Sequence, residues 1–433
     1  MSEYWDEKFE TMDLEQLRAF QLGKLQETLK WVYERVPFYT KAFDEKGVKP
    51  EDLKTLEDLK EFPFTIKNDL RDNYPFKMCA VPMSDVVRVH ASSGTTGKPI
   101  TGPYTAQDLD DWSNCMARNL WSHGVRQDDI FQNAYGYGLF TGGLGFHQAA
   151  LKIGCTVVPT SSGMTERQLM LMQDFGSTVL GCTPTYALTI AERAEKMNLD
   201  IRNWPLRVGS FGAEPWTVAM RKEIEDRMGI HAHEAYGLTE MMGPGVAFSC
   251  SEYRLHVNED HIYPEIIDPV TEEPLPIGEQ GELVFTALQR RAMPLIRYRT
   301  KDITSLRREK CACGRTLVVM EKILGRFDDM LIISGVNVFP SQMEALIMDI
   351  EGMEPHYLLR VSKKGHLDTL SVEVEAKEEA YGQGQGYLDQ LGKKLGDHIR
   401  ETAGINVPVT IVPFNSIARS EGKAKRVIDE RNQ

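Results

Sequence analysis

Ser92-Ser93-Gly94-Thr95-Thr96-Gly97-Lys98-Pro99 concentrates hydroxyls, glycines and one cation in a single short stretch. That composition suits a polyphosphate. Glycine frees backbone N–H groups to point into a concave loop, hydroxyls donate to phosphate oxygens, and a lysine offsets their charge. The stretch is not a Walker A loop, because Pro99 follows Lys98 where that loop needs Ser or Thr to hold Mg²⁺ and then a helix. The run Val86-Val87-Arg88-Val89-His90-Ala91 before it is short and β-branched, so the loop is predicted to leave the end of a strand. A plain Gly/Ser/Thr surface turn is the competing reading of this stretch taken alone.

Outward from the loop, short apolar runs such as Thr156-Val157-Val158 and Thr178-Val179-Leu180 alternate with helical stretches such as 187–197. This alternation, from about residue 86 to 210, predicts an α/β sheet domain. Upstream, Asp13 with Gln16 marks a helix start, and Leu14, Leu17, Leu25, Leu29, Val32 and Val36 recur at helical spacing until Pro37. Between roughly residues 260 and 288 the pattern turns to strands separated by Asp268-Pro269 and by Ile277-Gly278-Glu279-Gln280-Gly281, which predicts a smaller β-rich layer. After Gly325 the pattern resets to strands over 357–361 and 369–374, a helix over 387–402 and a strand over 407–414. That stretch is about 100 residues, enough for its own α+β domain. The boundary is drawn at Arg326 to Asp329, giving domains 1–325 and 326–433.

With 433 residues, 42% of them hydrophobic and 26% charged, the chain has the composition of a multidomain globular protein. A formal net charge of -13 argues against nucleic-acid or anionic-membrane partners, which demand a basic surface. The acidic N-terminus shows no secretory signal and no apolar run approaches transmembrane length. Seven scattered cysteines fit reduced thiols better than a disulfide framework. A cytoplasmic protein is expected.

Several polar signatures lie where packing alone would not put them. In Glu234-Ala235-Tyr236-Gly237-Leu238-Thr239-Glu240, the hydroxyl of Thr239 suits a phosphate and Glu240 suits Mg²⁺, a hard cation shared between carboxylates and substrate phosphates. A capped loop reads equally well. Asp302, in Tyr298-Arg299-Thr300-Lys301-Asp302, can accept from both hydroxyls of a ribose, although a surface ion pair is the commoner explanation. Gly325-Arg326-Phe327-Asp328-Asp329 and Ser334-Gly335-Val336-Asn337 follow. Near the end, 419–426 is a basic tip interrupted by Gly422.

Taken in this order and spacing, these segments resemble the adenylate-forming superfamily of acyl-CoA synthetases, adenylation domains and luciferases. Within it the chain resembles the bacterial phenylacetate–CoA ligases, from Val36-Pro37-Phe38-Tyr39 through 92–99, 236–240, Ile296-Arg297-Tyr298-Arg299 and Gly335-Val336-Asn337-Val338-Phe339-Pro340 to 419–426. The resemblance implies a large N-terminal domain and a small mobile C-terminal one. It implies ligation of an aryl acid, first of all phenylacetate, to coenzyme A. A carboxylate attacks the α-phosphate of ATP, giving acyl-adenylate and pyrophosphate, and a thiol then displaces AMP.

Carried onto this sequence, the resemblance implies that Ser92, Ser93, Gly94, Thr95, Thr96 and Lys98 cradle the β- and γ-phosphates. Mg²⁺ would bind near Glu240, and Thr239 would touch the α-phosphate. Gly212, Ala213 and Glu214, with Glu234, Ala235, Tyr236 and Gly237, would flank the adenine; Asp302 and Arg326 would hold the ribose. Lys423 matches the C-terminal lysine that bridges carboxylate and α-phosphate, a cation that stabilises charge growing in the transition state. Lys425 competes for that match, and Lys423 is preferred because it follows Gly422. Asp328 falls at the hinge, and Ser334, Gly335 and Val336 would line the pantetheine tunnel once the small domain turns. Lys98 would then matter for the first half-reaction and little for the second.

Tyr135-Gly136-Tyr137-Gly138-Leu139-Phe140-Thr141-Gly142-Gly143 mixes aromatics with small residues, as a slot for a flat ring would. Tyr135, Tyr137, Phe140, Ala213 and Tyr236 are the candidates for contacting an aryl ring. Side-chain types do not select among aryl acids, since one methylene is worth only about 1–3 kcal/mol. Apart from this chemistry, Cys250, His256, Cys311 and Cys313 offer three thiolates and one imidazole, a set that can close a tetrahedral, structural Zn²⁺ site. His261 competes with His256 for the fourth position, and reduced loop thiols are the alternative. Cys79, Cys115, Cys155 and Cys182 read as core. Two rival functions are an adenylyl-transferring relative of the coenzyme F390 synthetases and a non-catalytic nucleotide sensor. The intact set Thr95, Glu240, Asp302, Arg326 and Lys423 argues for an enzyme. A homodimer stays open by analogy with relatives.

Overall fold

The computed structural model describes residues 2–92, 99–327, 330–333, 336–364, 367–419 and 426–431. The chain divides into two compact units. One comprises 1–182, 204–213 and 231–322; the other comprises 183–203, 214–230 and 323–433.

The first unit is an α/β structure built on a long mixed sheet. Strands Thr156–Val158, Ile130–Asn133, Val179–Cys182, Val208–Gly212 and His231–Leu238 lie side by side in that order, all parallel. Every residue of Val179–Cys182 and Val208–Gly212 is buried, as parallel strands covered on both faces require. From His231–Leu238 the sheet continues antiparallel through Gly243–Ser249, Leu255–Val257, Val319–Met320, Tyr298–Arg307, Gln280–Ala287 and Ile262–Ile267. The hairpin expected between 260 and 288 is present, with Ile262 opposite Ala287 and Ile267 opposite Glu282. Gly278 supplies a positive φ of 98° in its turn.

Local signals place the flanking helices. Asp13 caps Leu14–Arg35 by accepting from the Glu15 N–H, and the helix buries Leu17, Leu25, Leu29 and Val32 along one face. It stops at Val36 because Pro37 cannot continue it. Pro37 instead occupies the first turn of the next helix, Pro37–Lys46, where its missing N–H costs nothing. The predicted strand before the glycine loop is Val86–Ala91, paired antiparallel with Thr101–Thr105.

The second unit carries a four-stranded sheet in the order Val409–Val412, Leu367–Ala376, Met353–Lys364 and Val427–Asp429, with both outer pairs parallel and the central pair antiparallel. Helix Gln385–Ala403 lays Leu388, Leu391, Leu395 and Ile399 against it, together with Ile347, Val361 and Val372. Each such side chain contributes roughly 1.5–3 kcal/mol through burial. Helices Pro184–Lys196 and Val218–Met228, which fall in the chain between strands of the long sheet, belong to this unit.

Candidate active site

The carboxyl ends of two neighbouring parallel strands, Val208–Gly212 and His231–Leu238, bring the adenine candidates together. Gly212 lies opposite Ala235, the last pair between the two strands, so Ala213 and Tyr236 follow at the same level just beyond that pairing. Open α/β sheets bind ligands at such edges. Glycine is needed here for a steric reason: a Cβ on Gly212 would stand 2.2 Å from the Ala235 carbonyl oxygen. One on Gly237 would stand 2.0 Å from the Gly243 carbonyl oxygen. Ala213 adopts a φ of 74°, in the left-handed region.

Tyr236 donates its phenol hydrogen to Asp302 Oδ2 at 2.5 Å, and Asp302 is buried. That bond helps to orient the carboxylate. Glu234 lies 3.7 Å from Lys322. Glu214 belongs to the second unit, where its carboxylate accepts from the Thr185 N–H at the start of helix Pro184–Lys196. Arg326 and Val336 are half-buried in that unit. Ser93, Gly94, Thr95, Thr96, Lys98, Asp328, Ser334, Gly335 and Lys423 lie outside the described residues.

Thr239 and Glu240 occupy the turn between His231–Leu238 and Gly243–Ser249, and both are buried. Two groups that sequence reasoning missed hold this turn. Arg290 donates to the Glu240 carbonyl at 2.7 Å, to the Met241 carbonyl, and to the Pro103 carbonyl at 3.3 Å, while its guanidinium covers the Tyr104 ring. Lys67 Nζ stands 3.8 Å from Glu240 Oε1. Beside Arg291, Arg290 reads as a surface charge in the sequence; Lys67 reads as the start of a short solvated helix. Only tertiary contact distinguishes them.

Ser92, at the base of the glycine loop, donates through its N–H to the Ile100 carbonyl at 2.9 Å and accepts from the Ile100 N–H at 3.0 Å. Its hydroxyl oxygen therefore braces the base of the loop. Ala91 N–H donates to the Leu139 carbonyl, which links the loop strand to the aromatic segment 135–143. In that segment Tyr135 is buried and stacked on Phe146 at 4.6 Å, so one ring face is core. Tyr137 accepts from Asn133 Nδ2 at 2.8 Å and shares a 3.0 Å hydrogen bond with His147 Nδ1. Burial raises the Tyr137 pKa and lowers that of His147, which keeps both neutral. Phe140 is exposed and precedes helix Thr141–Ile153.

The cysteine cluster assembles from two turns and a strand. The turn at Cys250, where its N–H donates to the Arg254 carbonyl, leads into Leu255–Val257; a second turn spans Cys311 to Arg315. The ligand atoms of Cys250, His256, Cys311 and Cys313 all lie within 4.8 Å of one another. Cys250 Sγ is 3.8 Å from Cys311 Sγ, and Cys313 Sγ is 3.5 Å from His256 Nε2. Tetrahedral zinc with bonds of about 2.3 Å to sulfur and 2.05 Å to nitrogen has edges of about 3.8 Å and 3.6 Å. The spacing fits. His256 Nδ1 donates to the Leu317 carbonyl at 3.0 Å, which fixes the tautomer that presents a lone pair on Nε2. Cys250, donating to it, and His256 beside it hold the Cys313 thiol well below the usual thiol range, against burial. His261 is outside the cluster, 3.5 Å from Asp260. Cys115, Cys155 and Cys182 are buried as expected, whereas Cys79 is half-buried.

Family models described as "AMP-binding enzyme" and "AMP-binding enzyme C-terminal domain" match residues 11–289 and 335–431. The chain is similar to a phenylacetate–coenzyme A ligase of Aromatoleum evansii, 52% identical over 98% of this chain and 97% of the relative. It is also similar to the solved structure of a 2-hydroxyisobutyryl-CoA ligase in the postadenylation state with an acyl-AMP, with TM-score 0.94 and 29% identity over 99% of this chain and 93% of that one. The same enzyme with an acyl-AMP and CoA in its thioesterification state gives TM-score 0.74 at 30% identity, over 100% of this chain and 93% of that one.

Proposed function

The chain belongs to the AMP-binding enzyme family, in the branch of the phenylacetate–coenzyme A ligases, and from that premise we propose how its residues divide the work. It is an acid–thiol ligase that joins phenylacetate to coenzyme A with ATP through an acyl-adenylate. A carboxylate oxygen bonds to the α-phosphorus as pyrophosphate leaves; the CoA sulfur then bonds to the acyl carbon as AMP leaves. Identity over nearly the whole length of such ligases does not favour an adenylyl-transferring or sensor role.

One observation supports the nucleotide reading most directly. Asp302 is buried, pre-oriented by Tyr236, and belongs to the same sheet as Gly212 and Ala235. In this reading Asp302 and Arg326 take the ribose, and 212–214 and 234–237 flank the adenine. The stretch 92–98 holds the departing pyrophosphate, and Thr239 meets the α-phosphate. Glu240 holds Mg²⁺, which neutralises phosphate charge, and Lys67 adds a second cation beside it. Lys423 stabilises the charge that grows at the α-phosphate, with domain 326–433 turning at Asp328 so that 334–336 meet the pantetheine. Tyr137 and Phe140 contact the aryl ring beside Ala213 and Tyr236, and Tyr135 backs them.

Cys250, His256, Cys311 and Cys313 hold a structural zinc ion, the closed four-ligand set leaving no position for substrate. No helix among the described residues is long and apolar enough to cross a membrane. Cysteines without disulfide partners fit a cytoplasmic protein, and a homodimer by analogy with relatives is the assembly to test. The experiment is an ATP–pyrophosphate exchange screen over aryl and aliphatic acids, followed by CoA. Exchange is expected with phenylacetate, with AMP released on CoA addition; exchange with no carboxylate contradicts the reading.

A further inference from the structure

Arg419 and Arg426 flank the segment that contains Lys423, and each is tied down by side chains of the second unit. Arg426 lies over the Tyr357 ring at 4.6 Å, its carbonyl accepts from the Leu359 N–H, and its guanidinium reaches Glu344 at 4.0 Å. Arg419 is held more extensively. The fully buried Glu375 accepts from both of its terminal nitrogens at 2.8 Å and from the N–H groups of Asn415 and Ile417. Arg419 also donates to the Ile417 carbonyl and lies against Phe414.

All these partners of Arg419 lie within 326–433, and they shape the turn before Lys423 from inside that stretch. One partner does not. Glu192, on helix Pro184–Lys196, accepts from Arg419 Nε at 3.0 Å and from His356 Nε2 at 2.8 Å. Glu192 is buried, and His356 and Arg419 outweigh its burial to keep it ionised. Burial makes His356 the neutral donor, so Arg419 supplies the positive charge. Glu192 thus fastens the chain leading to Lys423 to a helix that precedes the C-terminal stretch by more than a hundred residues.

We propose that Glu192 is a positioning residue for adenylate formation, holding Arg419 and His356 so that the chain leading to Lys423 is presented for the first half-reaction. This rests on the reading that Lys423 serves that step. The second half-reaction, run without Lys423, does not need the contact.

The test uses the full chain as wild type and as Glu192→Gln, Arg419→Gln, both together, and Lys423→Ala. Phenylacetate-dependent ATP–pyrophosphate exchange reads the first half-reaction, and thioester formation from supplied phenylacetyl-adenylate and CoA reads the second. Glu192→Gln is expected to slow exchange about ten-fold while thioester formation stays within about two-fold. Arg419→Gln should reproduce this split, and the double variant should be no slower than the slower single one, because the two act through one contact. Equal losses in both half-reactions, no loss in either, or multiplying losses in the double variant overturn the proposal. If Glu192→Gln does not accumulate as folded protein, Arg419→Gln decides by the same split. Lys423→Ala checks the premise separately: exchange that survives it overturns the lysine reading, whatever Glu192→Gln does.

Discussion

Tyr236 and Asp302 share a 2.5 Å hydrogen bond between two non-adjacent strands of one sheet, and the phenol helps to orient the buried carboxylate. Tyr236→Phe removes the donor while keeping the ring. A hydrogen bond to a charged group is worth about 1.5–3 kcal/mol, part of which ribose hydroxyls would restore in the proposed reading of Asp302. The KM for ATP should rise about three- to ten-fold with folding intact, measured by steady-state kinetics beside a thermal melt. An unchanged KM would separate Asp302 from the nucleotide.

The cysteine cluster makes a compositional prediction. Purified protein should carry about one equivalent of zinc by elemental analysis, and Cys313→Ser should lose it and melt several degrees lower. Exchange per folded molecule should stay within about two-fold, since the four-ligand set has no open position. Metal-free protein that melts at the same temperature would sink the structural-zinc reading.

Glu354 gives stability a pH dependence. Burial, reinforced by Glu192 and opposed by Arg227, raises its pKa from 4.5 to about 7, and its Oε2 has no hydrogen-bond partner. A raised folded-state value favours the protonated form, so this contribution is full below about pH 4.5 and is lost as pH rises through about 7. Glu354→Gln, neutral throughout, should melt like the parent near pH 4.5 and higher near pH 8. The gain should be on the order of 1–3 kcal/mol. Parallel melting curves across that range would contradict the assignment.

Gly237 tests the close approach at the strand end proposed to face the nucleotide. A methyl group there meets the Gly243 carbonyl oxygen at 2.0 Å and Pro244 Cα at 2.5 Å. Gly237→Ala should destabilise by about 1–3 kcal/mol through overpacking. It should also raise the KM for ATP by shifting Thr239 and Glu240. A variant with parental melting and KM would show that the turn can yield.

Much of this was legible in the sequence because the signals are local. Asp13 and Pro37 bound a helix, Gly278 turns a hairpin, and the helix expected over 387–402 is Gln385–Ala403. The sequence also offered three thiolates and two competing imidazoles for a metal. It could not choose between His256 and His261, because the choice is made by the Leu317 carbonyl some sixty residues away. Lys67, Arg290 and Glu192 were invisible for the same reason: each is an ordinary surface-type residue in its own helix or loop, and acquires its partner only through the fold. The grouping of helix Pro184–Lys196 with the C-terminal stretch left no compositional trace either.

In the proposed reading this chain makes an acyl-adenylate with Lys423 and then transfers the acyl group to CoA. The most direct test measures phenylacetate-dependent ATP–pyrophosphate exchange in the parent and in Lys423→Ala, alongside thioester formation from supplied phenylacetyl-adenylate. Exchange should be present in the parent and fall by at least about a hundred-fold in the variant, while the thioester rate persists. Exchange that survives Lys423→Ala, or a variant that loses both half-reactions equally, would contradict the account.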